Sequence, residues 1–271
     1  LALTCAYLAV TAPLLVRGGH GGLGLMHLVA ILIAASGVAE SGNFRRVVGD
    51  LLPLVTALLL YSEIPFLVTA LGSHLHDAAV QRWEYWLFHT QPSKSLAAAM
   101  PYSALSELLH AGYLAYYPAI LVPPLVLLVR NERRGLAETV LALAVTCLTC
   151  WTIFAVWPVE GPRFLWGAPA GVPDGLFRRI SVAILAAGSS RGAAFPSSHM
   201  AVSTAQLMMA LRWQSSLVQA TLGLVALLIG VGAVYAGFHY ATDMIAGGVL
   251  GAVVALTVLS ASQRVAEPRL S

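Results

Sequence analysis

Apolar residues in this chain arrive in long unbroken blocks rather than at the spacing of one helix face. Ala2–Val16, Leu23–Ala39, Leu51–Leu71, Tyr113–Val129, Leu136–Trp157, Ser197–Leu211, Leu217–Tyr235 and Met244–Ser260 each run about 15 to 22 residues. A hydrocarbon core about 30 Å thick is crossed by about 20 helical residues, so the blocks read as membrane spans. Ala2–Val16 is short, and the chain opens on Leu1 rather than Met, as it would if its start were trimmed. The pattern predicts seven or eight spans, with eight favoured. The fold class is therefore all-α, a polytopic membrane helical bundle of about 8 transmembrane helices.

Between the blocks, Ser73–Gln91 mixes charge with Trp83, Trp86 and Phe88, the composition of a helix lying in the membrane interface. Asp174–Ala187 has the same character. Gly247 and Gly251 form a GxxxG pair in the last block, a device for close helix packing. No internal repeat and no soluble domain interrupts the series, so residues 1–271 read as a single membrane domain. Residues 1–100 supply N-terminal spans and the interfacial segment, and residues 101–262 a helical core. The first block reads as a retained span, because no small-residue cleavage site follows Arg17-Gly18-Gly19-His20.

Composition agrees: 58% of residues are hydrophobic and 10% charged, against roughly 25% charged in an ordinary soluble domain. A net charge of +3, scattered along the chain, gives nucleic acid no basic surface to bind. Cys5 stands alone, and Cys147 and Cys150 sit within one apolar block, where packing explains them better than redox or metal chemistry. With eight spans, one face collects Arg45, Arg46, Arg130, Arg133, Arg134, Arg212, Arg264 and Arg269 in short loops beside span ends. That face, with both termini, is expected to be cytoplasmic. The other face holds the long loops, and its cations (Arg17, Arg82, Lys94, Arg163, Arg178, Arg179, Arg191) nearly balance the count.

Three segments stand out from the apolar background: Val159-Glu160-Gly161-Pro162-Arg163-Phe164, Phe195-Pro196-Ser197-Ser198-His199 and His239-Tyr240-Ala241-Thr242-Asp243. The sixth span runs inward and the seventh returns, each about 19 residues at 1.5 Å per residue, so Arg163, His199 and His239 are expected at one face. Pro196 marks a helix start that Ser197 or Ser198 caps. A helix N-terminus offers free amides and a partial positive charge to an anion, and His199 sits in that first turn. His239 and Asp243 are four apart, which on a helix places them on one face, and a carboxylate there orients an imidazole and raises its basicity. Arg163 brings a planar, permanently charged fork suited to phosphate oxygens. Each segment alone has a structural explanation. An aspartate at the edge of a span, converging with two histidines and an arginine, points to chemistry.

These segments resemble the signature motifs of the type 2 phosphatidic acid phosphatase superfamily. The forms Gly161-Pro162-Arg163, Phe195-Pro196-Ser197-Ser198-His199 and His239-Tyr240-x-x-Asp243, with Ala246-Gly247 beyond, are most similar to its inositol phosphorylceramide synthase-like branch and bacterial relatives. The likeness covers roughly Pro158 to Gly251, and Glu84, Leu87-Phe88, Pro92, Glu107 and Tyr113 upstream also resemble that branch. The resemblance implies a six-helix phosphatase-like core with extra N-terminal helices, and a lipid phosphate or phospholipid substrate drawn from membrane lipids. With the short arginine loops cytoplasmic, the protein is expected to be an integral membrane protein of the plasma membrane with the site on the extracytoplasmic face. The resemblance implies that His239 attacks phosphorus, Asp243 orients it, and His199 protonates the leaving alcohol and then activates the acceptor. Arg163, Ser197 and Ser198, with the local amides, would stabilise the phosphoryl oxygens, and no metal or other cofactor is implied.

Two departures bear on the substrate. Phosphatases of the superfamily carry a lysine seven residues before the arginine of the first motif, where this chain has Val156. They carry an arginine six residues before the third-motif histidine, where this chain has Ala233. The missing cations argue mildly for a singly charged diester donor, as a head-group transferase uses, unless Arg178, Arg179 or Arg191 restores the charge. Weaker pocket candidates are Glu160, Arg191, Glu63, Glu107, His110 and Tyr240. Glu63 reads as either a buried neutral acid or a pocket residue, and Glu160 as either an acceptor contact or a solvated loop acid. His74, His76 and Asp77 resemble a metal cluster only on paper. Two other classes compete: a transporter relaying ions through Glu63 and Asp243, and a zinc hydrolase built on His199, His239 and Asp243. The transporter needs polar residues through the middle of several spans, whereas here they gather at one face.

Overall fold

The computed structural model of the chain describes residues 2–35 and 43–266. Arg269 lies outside the described residues, as does the end of the Leu23–Ala39 block. Fourteen α-helices follow in order: α1 (Ala2–Arg17), α2 (Gly21–Ala35), α3 (Asn43–Leu59), α4 (Ile64–Leu71), α5 (Asp77–Phe88), α6 (Pro92–Ala99) and α7 (Ser103–Leu114) form the first half. α8 (Tyr116–Val129), α9 (Arg133–Val156), α10 (Pro162–Trp166), α11 (Leu176–Gly188), α12 (Ser198–Trp213), α13 (Ser216–Tyr235) and α14 (Ala241–Ala266) complete it. Among the described residues there is no β-strand, only a single bridge between Val159 and Ala193.

As far as they are described, the eight apolar blocks fold into helix, but length and apolarity do not confirm eight full spans. Among the described residues four helices qualify, Gly49–Leu71, Arg133–Val156, Ser216–Tyr235 and Ala241–Arg264, and the bent pair α7–α8 makes a fifth if it counts as one span. The first of these joins α3 and α4 through a 3-10 turn at Leu60–Glu63, just before Pro65. The 40° bend between α7 and α8 falls at Ala115, where Pro118 cannot donate to the carbonyl one turn back. α1, α2 and α12 have 16, 15 and 16 residues, about 24 Å of helix against about 30 Å of hydrocarbon. α12 is exempt from the demand for apolarity because its polar side chains Ser198, Ser203 and Gln206 are buried against protein rather than lipid.

α9 is the central post. Two thirds of its apolar window (67%) is buried, against 28–33% for the other long spans, and α3, α4, α8, α12 and α14 pack around it. Cys147 and Cys150 are free thiols buried in that core beside Leu143, Trp151 and Phe154. Leu217, Leu227, Val249 and Val253 on the outer helices face outward, as lipid-facing positions do. The interfacial expectations hold as helices: α5 lies within Ser73–Gln91 and α11 within or beside Asp174–Ala187.

At one end of the bundle, Glu138 gathers Arg134 at 2.8 Å, Arg212 at 3.5 Å and the Trp213 ring nitrogen at 2.9 Å. The start of α12 stands at the other end, with the site described below. α12 and α14 touch along their backbones because the GxxxG glycines remove the side chains between them. A Cβ on Gly247 would lie 2.3 Å from the Ser197 carbonyl oxygen, and one on Gly251 2.0 Å from that of Ala201.

Gly251→Ala is therefore expected to lower the thermal midpoint of the detergent-solubilised protein by several degrees, in line with an overpacking cost of about 1–3 kcal/mol. Gly223→Ala on α13, where an added Cβ meets nothing within 4 Å, is expected to leave the midpoint unchanged or slightly higher. Equal midpoints for the two variants would contradict the close α12–α14 approach.

Candidate active site

The three motifs are carried by loops that are tied to one another. After α9, Val159 donates its amide to the Gly192 carbonyl at 3.1 Å and accepts the Ala194 amide at 2.9 Å, fastening the first motif to the strand of chain before the second. Gly161 turns the backbone at φ +89°, with the Ala194 methyl 2.9 Å from where a Cβ would stand, so only glycine fits. Pro162 then starts α10, which carries Arg163. Ser197 caps α12, its hydroxyl accepting the Met200 amide at 3.4 Å. Its own amide donates to the Asp243 carbonyl at 2.9 Å, joining the second motif to the third.

His239 lies in the turn before α14 rather than on the helix, so its pairing with Asp243 is a helix-start contact and not a shared helix face. Asp243 Oδ2 accepts the Tyr240 amide at 2.8 Å and stands 3.2 Å from His239 Nδ1. Burial pushes the His239 imidazole down to about 4; the Ala194 carbonyl opposes this and the Arg163 charge adds to it. The ring is consequently neutral at physiological pH. With Nδ1 facing the carboxylate, Nε2 is the nitrogen left for chemistry.

His199 and His239 face each other with ring centroids 6.3 Å apart. Between and beside them opens a pocket of about 410 Å³, mouth included, whose wall contains Arg163, Ser198, Glu160, Tyr61 and Tyr113. Tyr113 stacks on His199 at 4.9 Å and its hydroxyl stands 3.2 Å from His199 Nε2. Tyr116 tilts against the same ring at 4.3 Å. Three consecutive residues after α11 strap the pocket. Arg163 donates to the Ser189 hydroxyl. The Ser190 amide donates to the Tyr61 hydroxyl, and its own hydroxyl to the Tyr61 carbonyl, both at 3.1 Å. Arg191 makes a two-pronged pair with Glu160 at 2.5 and 2.8 Å.

The structure thus brings together His199, His239, Asp243, Arg163, Ser198 and Glu160, with Ser197 as the buried cap and Arg191 at the rim. It places four weaker candidates elsewhere. Glu63 pairs with His27 at 2.8 Å, and His27 also meets Thr11 at 3.1 Å, among the N-terminal helices. Glu107 accepts the Phe177 and Arg178 amides and so caps α11. His110 bonds the Ser106 carbonyl at 2.7 Å and backs the pocket residue Phe238 edge-on at 5.9 Å. Tyr240 is buried behind the site, its hydroxyl donating to Asp77 at 3.1 Å. The paper cluster of His74, His76 and Asp77 is dispersed: His76 stacks on Trp157 at 4.6 Å while Asp77 takes backbone amides. Among the described residues, no group of three His, Cys, Asp or Glu side chains is placed to hold a metal ion.

Sequence reasoning named Glu84 only within the family resemblance and missed the inner face of α5 as a neighbour of the motifs. Asp77, Gln81 and Glu84, spaced i, i+4 and i+7, turn toward the motifs, while Tyr85 and Trp86 face out. That spacing was a legible signal, hidden by the aromatic residues that mark the segment as interfacial. Glu84 is buried, and its Oε1 accepts the Ala241 amide at 2.6 Å. Burial pushes its carboxyl up to about 7; the Ala241 amide pulls it back and the Asp243 charge adds to the rise.

A raised carboxyl pKa means that between 4.5 and about 7 the folded state keeps a proton that the unfolded chain has released. Stability therefore falls as pH rises through that window. Glu84→Gln keeps an acceptor for Ala241 and does not titrate. Its thermal midpoint is expected to gain on the wild type from pH 5 to about pH 7 and then level off, and a gap that does not change with pH would refute the raised carboxyl.

Comparison with known proteins adds three findings. None of the curated proteins matches the chain. Among solved structures, the crystal structure of Aquifex aeolicus LpxE is similar, with a TM-score of 0.47 and 19% identity over 61% of this chain and 91% of that one. The PAP2 superfamily model matches residues 78–257, an interval that contains α6 to α13, most of α5 and α14, and all three motifs. By that match, the resemblance carried by the three motifs is membership: the chain belongs to the PAP2 superfamily.

Proposed function

We propose that the protein is a membrane-embedded, metal-independent lipid phosphatase or phosphotransferase working through a phosphohistidine. The observation that carries this reading is His239, oriented by Asp243 at 3.2 Å and facing His199 across a pocket walled by Arg163. The His239 Nε2 lone pair attacks phosphorus, and the bond from phosphorus to the ester oxygen breaks. The leaving oxygen takes a proton from His199, which enters this step as the imidazolium with the negative phosphoryl group beside it, and Asp243 stabilises the charge that develops on the His239 ring. Neutral His199 then removes a proton from water or an alcohol. That oxygen attacks phosphorus, the P–N bond breaks, and His239 is restored. Arg163 and the amides at the start of α12, which lack partners within their own helix, face the phosphoryl oxygens as charge gathers on them.

A head-group transferase acting on a diester is the second reading, and the charge of the pocket favours it. Val156 and Ala233 stand where superfamily phosphatases carry cations; Val156 is exposed and Ala233 is packed in the core. Arg191 is already matched by Glu160, which leaves Arg163 as the unmatched cation of the pocket wall. One cation suits a singly charged diester better than a doubly charged monoester. The site also stands at the end of the bundle opposite the Arg134–Glu138–Arg212 cluster, which supports an extracytoplasmic placement.

The test is turnover of dioctanoyl phosphatidic acid and dioctanoyl phosphatidylinositol in micelles with excess chelator. His239→Ala is expected to abolish turnover and the base-stable phosphoryl label on the protein. Arg163→Ala is expected to lower kcat by about 10²–10³-fold. Phosphate release from the monoester would establish a phosphatase, and diacylglycerol from the diester together with a new phosphodiester on an added alcohol acceptor would establish a transferase. Loss of activity in chelator, or full activity in His239→Ala, would overturn the mechanism.

A further inference from the structure

We infer that Asp77 is a positioning residue of this site: its carboxylate clamps the loop that carries Arg163 to the turn that carries His239. One oxygen accepts the Glu160 amide at 2.9 Å; the other accepts the Gly161 amide at 2.8 Å and the Tyr240 hydroxyl at 3.1 Å. Gly161 precedes Arg163 by two residues and Tyr240 directly follows His239. One buried side chain therefore spans from the proposed phosphate-binding cation to the proposed nucleophile without touching either. The inference rests on the phosphotransfer reading above.

An aspartate in the first turn of a helix usually serves that helix, by capping it or by facing its dipole. Here the carboxylate oxygens are spent on other segments, and the residue before α5, His76, makes no side-chain cap. Two successive backbone amides converging on one carboxylate fix the direction of the chain, because both must point at the same place. Gly161, with its positive φ, is what turns them that way. The rest of the α5 inner face holds the other side of the clamp. The Gln81 amide group donates to the Tyr240 hydroxyl at 3.1 Å, and Glu84 takes the amide of Ala241 at 2.6 Å. Tyr85 and Trp86 on the opposite face are exposed and seat the helix in the interface. α5 thus offers a rigid edge against which Arg163 and His239 keep their separation, the distance on which attack at a bound phosphorus depends.

Asp77→Asn keeps the shape but leaves one acceptor oxygen for two amides and sets an NH₂ group against the other. With the micellar substrate that the wild type turns over, its kcat is expected to fall about tenfold or more. KM is expected to stay within about threefold, and the protein to remain folded with its thermal midpoint lowered by several degrees at most. Tyr240→Phe removes the hydroxyl alone and is expected to lower kcat several-fold. In the Asp77→Asn background that loss should largely vanish, because the two changes cut one connection. An unchanged kcat in Tyr240→Phe would overturn the inference even if Asp77→Asn fails to fold. So would additive losses, a rise confined to KM, or a fall in activity that only tracks loss of folded protein. His239→Ala separates the two failures. If it is inactive while Asp77→Asn is fully active, the clamp alone falls; if it is active, the phosphotransfer reading falls with it.

Discussion

Asp243 sits in the first turn of α14 with its side chain fully withdrawn from solvent, and one carboxylate oxygen meets both the Tyr240 amide and the His239 ring. Removing a carboxylate from water is costly unless donors replace the lost hydration. The donors here are a free amide at a helix start and the imidazole that faces the pocket. The backbone carbonyl of the same residue accepts the Ser197 amide, so the cap of α12 hangs from the first turn of α14. The orientation of His239, the start of α14 and the start of α12 all follow from this one buried residue, and His199 is two residues beyond that cap.

Such an arrangement requires α12 and α14 to lie closer than side chains normally permit. Gly247 faces the Ser197 carbonyl and Gly251 that of Ala201, so the small-residue pair does more than pack two helices. It sets the separation of the two histidine rings, because His199 rides on α12 and His239 sits at the entry to α14. α9 supplies the fixed post behind both, with Phe154 and Trp151 buried near the end where the first motif begins.

Around this frame the electrostatics are sparing. The pocket wall combines an arginine, an acid already paired to a second arginine, and two neutral tyrosines with the histidines. A strap of Ser189, Ser190 and Arg191 engages Arg163, Tyr61 and Glu160 in turn. The Ser189 hydroxyl therefore occupies the arginine fork to which the proposed mechanism assigns a phosphate oxygen. Tyr61 reaches the pocket because the span made by α3 and α4 breaks into a 3-10 turn there. An N-terminal helix pair outside the family match, fastened through His27 and Glu63, lies beside that break.

The amino-acid sequence by itself determined the membrane class, the apolar helices and the end of the bundle at which each motif lies, because apolar run length and 1.5 Å per residue convert position in the chain into height along the bundle. It was enough to bring Arg163, His199, His239 and Asp243 to one end of the bundle. Height says nothing about direction around a helix axis, and that is where Glu63, Glu107, His110 and Tyr240 parted from the pocket wall. Each is polar at the right level but turned toward another partner: His27, the start of α11, the Ser106 carbonyl and Asp77. The number of full spans was likewise open, since short apolar helices and bent pairs share one composition with true crossings. Only the tertiary structure decided that the inner face of α5 belongs to the site. Its bonds from Asp77 reach backbone amides 83 and 84 residues away, and a backbone amide carries no mark in the sequence of who will accept its hydrogen bond.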